Sequence, residues 1–232
     1  MANPGSPPKS QAKESLGFNN QVFINCPFDD DYKPIFYAIV FAIQDLGFIA
    51  RCALEAVGTE QSRLDKIVEI IGECQYGVHD ISRTELGQTN LPRFNMPFEC
   101  GLFWGCLRFG GRKHKNKRIL ALDREAYRYR SLLSDLAGQE IKSHNDSPRV
   151  AIDRVRTWLN AELKLQSQPQ SEPRKLPGGK AIWSRYALFQ RDLPRMVKVA
   201  GITRVELYQP EYYPDYVSFV TNWLTLKEAV AK

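Results

Sequence analysis

The sequence predicts an α/β domain, a parallel sheet of four to five strands with helices on both faces, followed by a C-terminal helical appendage. Three observations carry this. Short apolar runs containing β-branched and aromatic residues recur along the first two thirds of the chain. Segments with helical period separate them, the alternation expected of a parallel sheet covered on both sides. A Gln, Ser, Pro and Lys-rich stretch then precedes two further amphipathic segments.

In order, Gln21–Asn25 reads as a buried first strand that ends at Cys26-Pro27-Phe28. A helix from Pro34 to Leu46 follows, with Ile35, Ala38, Ile39, Ala42, Ile43 and Leu46 on the 3.6 period and Gly47 as its stop. Phe48 to Leu54 is the second strand. Glu60 to Cys74 is the second helix, with Leu64, Ile67, Val68 and Ile71 on one face. Tyr76 to Ile81 is the third strand, and a long loop, a length usually reserved for function or mobility, leads to Asn95. Pro97 fits the first helical position, which places Met96 near the N-cap and Glu99 in the first turn. Gly101 and Gly105, costly inside a helix, suggest a close approach of something to that backbone. Arg118 to Asp123 is the fourth strand, Tyr127 to Leu136 a helix, Gln139 to Lys142 a short fifth strand, and Pro148 to Leu163 the closing helix. The resulting division is a disordered tail over 1–20, a domain over 21–163, a linker over 164–179 and a helical region over 180–232. Two helices there, Lys180–Val199 and Asp215–Ala231, carry apolar faces that must dock on the domain, on a second copy or on a partner protein.

Composition excludes several classes. Five cysteines without a Cys-x-x-Cys pair argue against a disulfide framework and a structural zinc site. No secretory h-region and no apolar stretch of about 18 residues occurs, which predicts a cytoplasmic protein without a membrane span. A net charge of +6 invites nucleic-acid binding, yet Arg112, Lys113, Lys115, Lys117 and Arg118 concentrate it in one segment. A nucleic-acid footprint needs basic residues spread over a face. No G-x-G-x-x-G or P-loop spacing is present, and Cys26 or Cys74 with His79 lacks a thiol-protease signature.

Ligands of open parallel sheets bind outside the carboxyl ends of the strands. That rule collects Asn25, Cys26 and Pro27 after strand one, Arg51 on strand two, Asp80 to Arg83 after strand three and Asp123 after strand four, joined by Glu99 at the N-terminus of its helix. Two carboxylates at such a mouth suit attack on a glycosidic carbon, one of them stabilising an oxocarbenium-like transition state. The alternative for Glu99 is a capping role on the helix dipole, worth about 0.3–1 kcal/mol.

The strand running into Asn25-Cys26-Pro27-Phe28, the strand ending in His79-Asp80-Ile81-Ser82, and Met96-Pro97-Phe98-Glu99-Cys100-Gly101 resemble, in order, the nucleoside 2-deoxyribosyltransferase pattern. The resemblance covers about residues 21–160 and extends to TIR domains, which share a flavodoxin-like core. It implies that Glu99 is the catalytic carboxylate and that Asp80 holds the substrate sugar. Cys100 stands where that family usually has leucine, and Asp29-Asp30-Asp31 has no counterpart. The implied activity is N-glycosidic cleavage of NAD+ or a related nucleotide or nucleoside by a cytoplasmic homo-oligomer, in a prokaryotic defence role by analogy. Catalytic Glu99 and Asp80 would then be joined by binding residues Asn25, Cys26, Pro27, Phe28, Arg51, Ser82, Arg83, Arg93 and Asn95. Neither a cofactor nor a metal is expected, NAD+ being substrate. The alternatives are a non-catalytic nucleotide sensor and a TIR-like assembly module.

Overall fold

The computed structural model describes residues 17–56, 62–83, 93–131, 141–166 and 174–230. Strands β1 (Gln21–Asn25), β2 (Ile49–Cys52), β3 (Tyr76–Asp80), β4 (Arg118–Asp123) and β5 (Ile141–Ser143) form one sheet in the order β2-β1-β3-β4-β5. Every pairing is parallel. Helices cover both faces, so the domain has the flavodoxin-like α/β architecture, whose strand order this is.

Alternation along the strands sorts their side chains. Val22, Ile24, Val78, Leu120 and Leu122 join the core beneath α1 (Lys33–Asp45) and α4 (Pro148–Gln166), while Phe23 meets Ile67, Ile70, Ile71 and Phe103 of α2 (Arg63–Glu73) and α3 (Asn95–Phe109). In α1 the residues from Ile35 to Ile43 are all buried, because its outer side is covered as well. The cover consists of α5 (Gly179–Val199) and α7 (Tyr213–Val230), with Phe189, Tyr216 and Trp223 packed around Phe41 and Tyr37. Between them lies a short α6 (Arg204–Leu207) with a Thr203–Glu206 capping box. The Tyr216 hydroxyl donates to Tyr37 O and that of Tyr213 to Ala50 O, which fixes α7 on the domain. Arg185 adds a paired contact to Asp45 at 2.6 and 2.8 Å.

Several sequence expectations shift. Leu64 and Val68, expected on the inner face of the second helix, are exposed, and Ile70 takes their place. Only a 3-10 turn, Arg128–Ser131, occupies the described part of the helix expected from Tyr127, and the remainder to Leu136 lies outside the described residues. The described part of the fifth strand is Ile141–Ser143, and the expected start at Gln139 lies outside the described residues. Most of the expected N-terminal tail lies outside the described residues, but Phe18 is buried in a 3-10 turn ahead of β1. The expected linker start is still α4, and 174–178 is tethered: Arg174 donates to Leu46 O, and Arg156 to Pro177 O. Gly47 ends α1 at φ 73°, in the left-handed region where a side chain is strained, with Phe48 N bonded to Ile43 O and Gly47 N to Gln44 O. Among the described residues no helix is long and apolar enough to cross a membrane.

Candidate active site

The carboxyl ends of β1 and β3 lie side by side, with Asn25 opposite His79. Both side chains point to the α3 face. Asn25 Nδ2 donates to Met96 O at 2.7 Å and lies 3.1 Å from His79 Nδ1. A carbonyl can only accept, so the amide orientation is fixed and His79 Nδ1 must be the acceptor. Burial, assisted by nearby Lys117, pushes the His79 imidazole down to about 3, so the ring is neutral and its proton sits on Nε2. Gly77 makes room for this ring: a Cβ there would lie 2.6 Å from His79 Nε2 and 2.9 Å from the Phe103 ring. Asn25 therefore staples the first turn of α3 to the sheet. Its own carbonyl oxygen has no partner among the described residues.

That staple positions Glu99, three residues beyond Met96. The helix begins at Asn95, earlier than expected, so Pro97 is its third residue and Glu99 its fifth. Glu99 thus lies past the first turn, where capping and dipole effects have faded. Gly101 and Gly105 are not sites of close approach either; a Cβ at each would meet nothing within 4 Å. Glu99 is 9% exposed and, among the described residues, forms no hydrogen bond or ion pair. Burial pushes its carboxyl up to about 7, and only exposed Arg63, at the start of α2, pulls the other way.

Asp80 goes elsewhere. It follows His79, so alternation sends it to the opposite face of the sheet, beneath α1 and α4. It is fully buried; Oδ1 accepts from Ser82 N at 2.8 Å and Oδ2 lies 3.0 Å from His144 Nε2. His144 Nδ1 accepts from Asp146 N, so Nε2 carries the proton. Ser82 Oγ lies 2.9 Å from the same Nε2 and takes the directed hydrogen bond, leaving Asp80 Oδ2 in close contact without one. Ser, His and Asp come together here, but both oxygens address one ring nitrogen while the backbone blocks the other. That is not the relay of a hydrolytic triad. Tyr32 completes the cluster, its phenol pushed well up by burial and Asp80. The expected pairing of Asp80 and Glu99 at one mouth is therefore corrected: the two carboxylates serve opposite faces. They still share a neighbour in Cys26, whose thiol burial raises first and the fields of Asp80 and Glu99 raise further.

The other expected residues divide. Arg51 turns away from the site to Glu55 and Glu73, at 2.8 and 3.0 Å, and to Gln21. Ser82 is buried in the His144 cluster and is not presented to a ligand. Arg83 embraces Asp29 through Nε and Nη2 at 3.2 and 3.0 Å, with Arg93 4.0 Å from the same carboxylate. Asp29 also accepts from Tyr32 N at the start of α1, so the acidic cluster is partly neutralised and anchors a helix. Pro27 is buried, Phe28 is half-buried against Phe36, and Asn95 is exposed beside Arg93. The chain between Arg83 and Arg93 includes 84–92, outside the described residues.

Reasoning from sequence missed His144, Arg128 and Lys117. His144 directly follows β5, a carboxyl-end position that the strand rule covers once that strand is placed correctly. Arg128 joins buried Asp123 to the carbonyls of Ile81 and Ser82, tying β4 to β3. Lys117, expected in a solvated loop, is 1% exposed; it donates to Ile71 O and Cys74 O at the end of α2 and sits over the Phe103 ring. Burial pushes Cys74 up to about 12, which disfavours a thiolate there as at Cys26. Among the described residues no cluster of His, Cys, Asp and Glu is arranged to hold a metal ion. No family model matches the chain, and neither a curated protein nor a solved structure matches it.

Proposed function

We propose that the protein cleaves the N-glycosidic bond of NAD+ or a related nucleotide or nucleoside, with Glu99 as the catalytic carboxylate. One observation carries this reading: Glu99 is a nearly buried carboxyl that forms no ion pair among the described residues, at the end of the sheet where ligands of this architecture bind. Such a group is costly to ionise alone and becomes favourable when a cation arrives beside it. An oxocarbenium-like transition state supplies that cation, and nicotinamide bound as NAD+ already carries one. Differential stabilisation of the transition state follows, because the carboxylate is worth most when the positive charge is greatest. Asn25 contributes an acceptor, its carbonyl oxygen, and holds the Glu99 helix in place.

Nicotinamide leaves without protonation, so a single carboxylate suffices for NAD+, whereas purine departure benefits from a general acid. The burial of Asp80 favours the substrate needing the fewer groups. It also favours a second reading, a non-catalytic nucleotide sensor or TIR-like assembly module in which the Glu99 end of the sheet holds a ligand without cleaving it. Incubating the full chain with NAD+ and a panel of nucleosides, with free base measured by chromatography, separates the two. Base release that falls at least about a hundredfold in Glu99→Gln supports catalysis. Base release unchanged in a folded Glu99→Gln protein, or none from any substrate, refutes it.

A further inference from the structure

A cleft opens between α3 and α4 along the outer edge of β4. The described part of β5 begins at Ile141, which pairs with Ala121, and among the described residues no strand lies outside Arg118 to Leu120. The cavity measures about 360 Å³ and is walled by Trp104 of α3, Trp158 of α4, Lys142 and Arg154. Small-molecule sites run from roughly 300 to 1,000 Å³. Past Trp104 it continues into a wider, more basic hollow that adds Arg108 and Lys115.

The lining is chemically lopsided. Two half-buried indoles come from opposite walls, each with a neighbour of its own: Tyr76 edge-to-face with Trp158, and the Arg108 guanidinium 5.4 Å from the Trp104 ring centre. The Arg154 guanidinium is held by a bond from Nε to Ser143 O at 3.0 Å, and its terminal nitrogens have no partner among the described residues. The carboxylate on this wall, Glu162, is matched by Arg118 at 3.0 Å, and Arg154 forms no ion pair among the described residues. Indoles offer a planar group a stacking surface, and an anchored guanidinium with free N–H donors suits a phosphate. We propose that this cleft is a second binding site, separate from Glu99, that takes a mononucleotide with its base against the indoles and its phosphate on Arg154. The site depends on none of the residues assigned to bond cleavage, although α3 carries both Trp104 and Glu99.

The test is isothermal titration of the full chain with AMP, ATP, adenosine and inorganic phosphate. The nucleotides should bind at least about tenfold more tightly than adenosine, with phosphate alone undetected up to about 1 mM. Two variants interrogate the cleft without opening the core. Ala161→Trp fills it from an exposed position on α4, and Arg154→Met removes the phosphate donors; each should weaken AMP by about tenfold or more. Glu99→Gln should bind AMP as the parent does, so failure of the catalytic reading leaves this result intact. Absence of nucleotide binding, binding undiminished in both cleft variants, or loss of binding in Glu99→Gln alone would each overturn the assignment.

Discussion

Replacing Glu99 by glutamine should make the protein more stable at neutral and alkaline pH while removing its proposed activity. The carboxyl is pushed from an ordinary value near 4.5 up to about 7 by burial. The folded state therefore holds the proton more tightly than the unfolded chain, which gives it up from about pH 4.5. Between those values the unfolded state is increasingly favoured as pH rises, and above about 7 the penalty is constant. At about 1.4 kcal/mol per tenfold change in proton affinity, the upper limit is about 3 kcal/mol, and screening by residual solvent contact brings it to about 2 kcal/mol. Glutamine has the same shape and no charge to desolvate. We expect Glu99→Gln to match the parent within about 0.5 kcal/mol near pH 4.5 and to exceed it by about 2 kcal/mol at pH 8, a rise in Tm of several degrees. Paired urea or thermal melts at those two pH values measure it, and the difference between the two proteins cancels every other titrating group. A parent more stable than the variant at pH 8 would mean that Glu99 has a cationic or hydrogen-bonding partner in the folded protein, and the argument from an uncompensated carboxylate would collapse.

Four further outcomes follow from the same contacts. Asn25→Leu strands Met96 O and His79 Nδ1 and should cost about 2–3 kcal/mol in urea melts, with base release lost because the Glu99 helix is no longer stapled; a variant as stable and active as the parent would refute the staple. His144→Phe leaves Asp80 and Ser82 buried without their partner and should cost about 3 kcal/mol or more, whereas Asp80→Asn, which removes the charge, should cost less; the reverse order in denaturant midpoints would contradict the cluster. Lys117→Met removes two donors from the end of α2 and should destabilise by about 2–4 kcal/mol despite its good packing volume, read by calorimetry against the parent. Truncation after Gln166 strips α5 and α7 from Phe41 and Tyr37, so the shortened chain should aggregate in light scattering, and a soluble, folded monomer would show that α1 does not need that cover.

The layered α/β plan was legible in the sequence, because the apolar runs and helical periods are local and each strand buried on both faces leaves a continuous hydrophobic signature. The sequence also marked Asn25 and Glu99 as neighbours of the sheet's carboxyl edge, since strand ends and helix starts can be read from short stretches. Tertiary structure alone decided which face each polar residue serves. Asp80 and His79 are adjacent in the chain, yet the register with β1 gives His79 to the Asn25 face and Asp80 to His144, sixty-four residues on, and a one-residue step in a strand always exchanges faces. Lys117 illustrates the same limit: beside Lys115 and Arg118 it reads as solvated, and only the packing of α2 against α3 supplies the carbonyls that hold it. Arg51 was drawn from the site by Glu55 and Glu73, partners whose position depends on how a 3-10 turn and the end of α2 close over β2. In the sequence α1 shows one periodic apolar face, and the C-terminal helices are left to dock on the domain, a second copy or a partner; the fold buries α1 on all sides by laying those helices over it. Local pattern records how much surface must be hidden, and only the folded chain chooses what hides it.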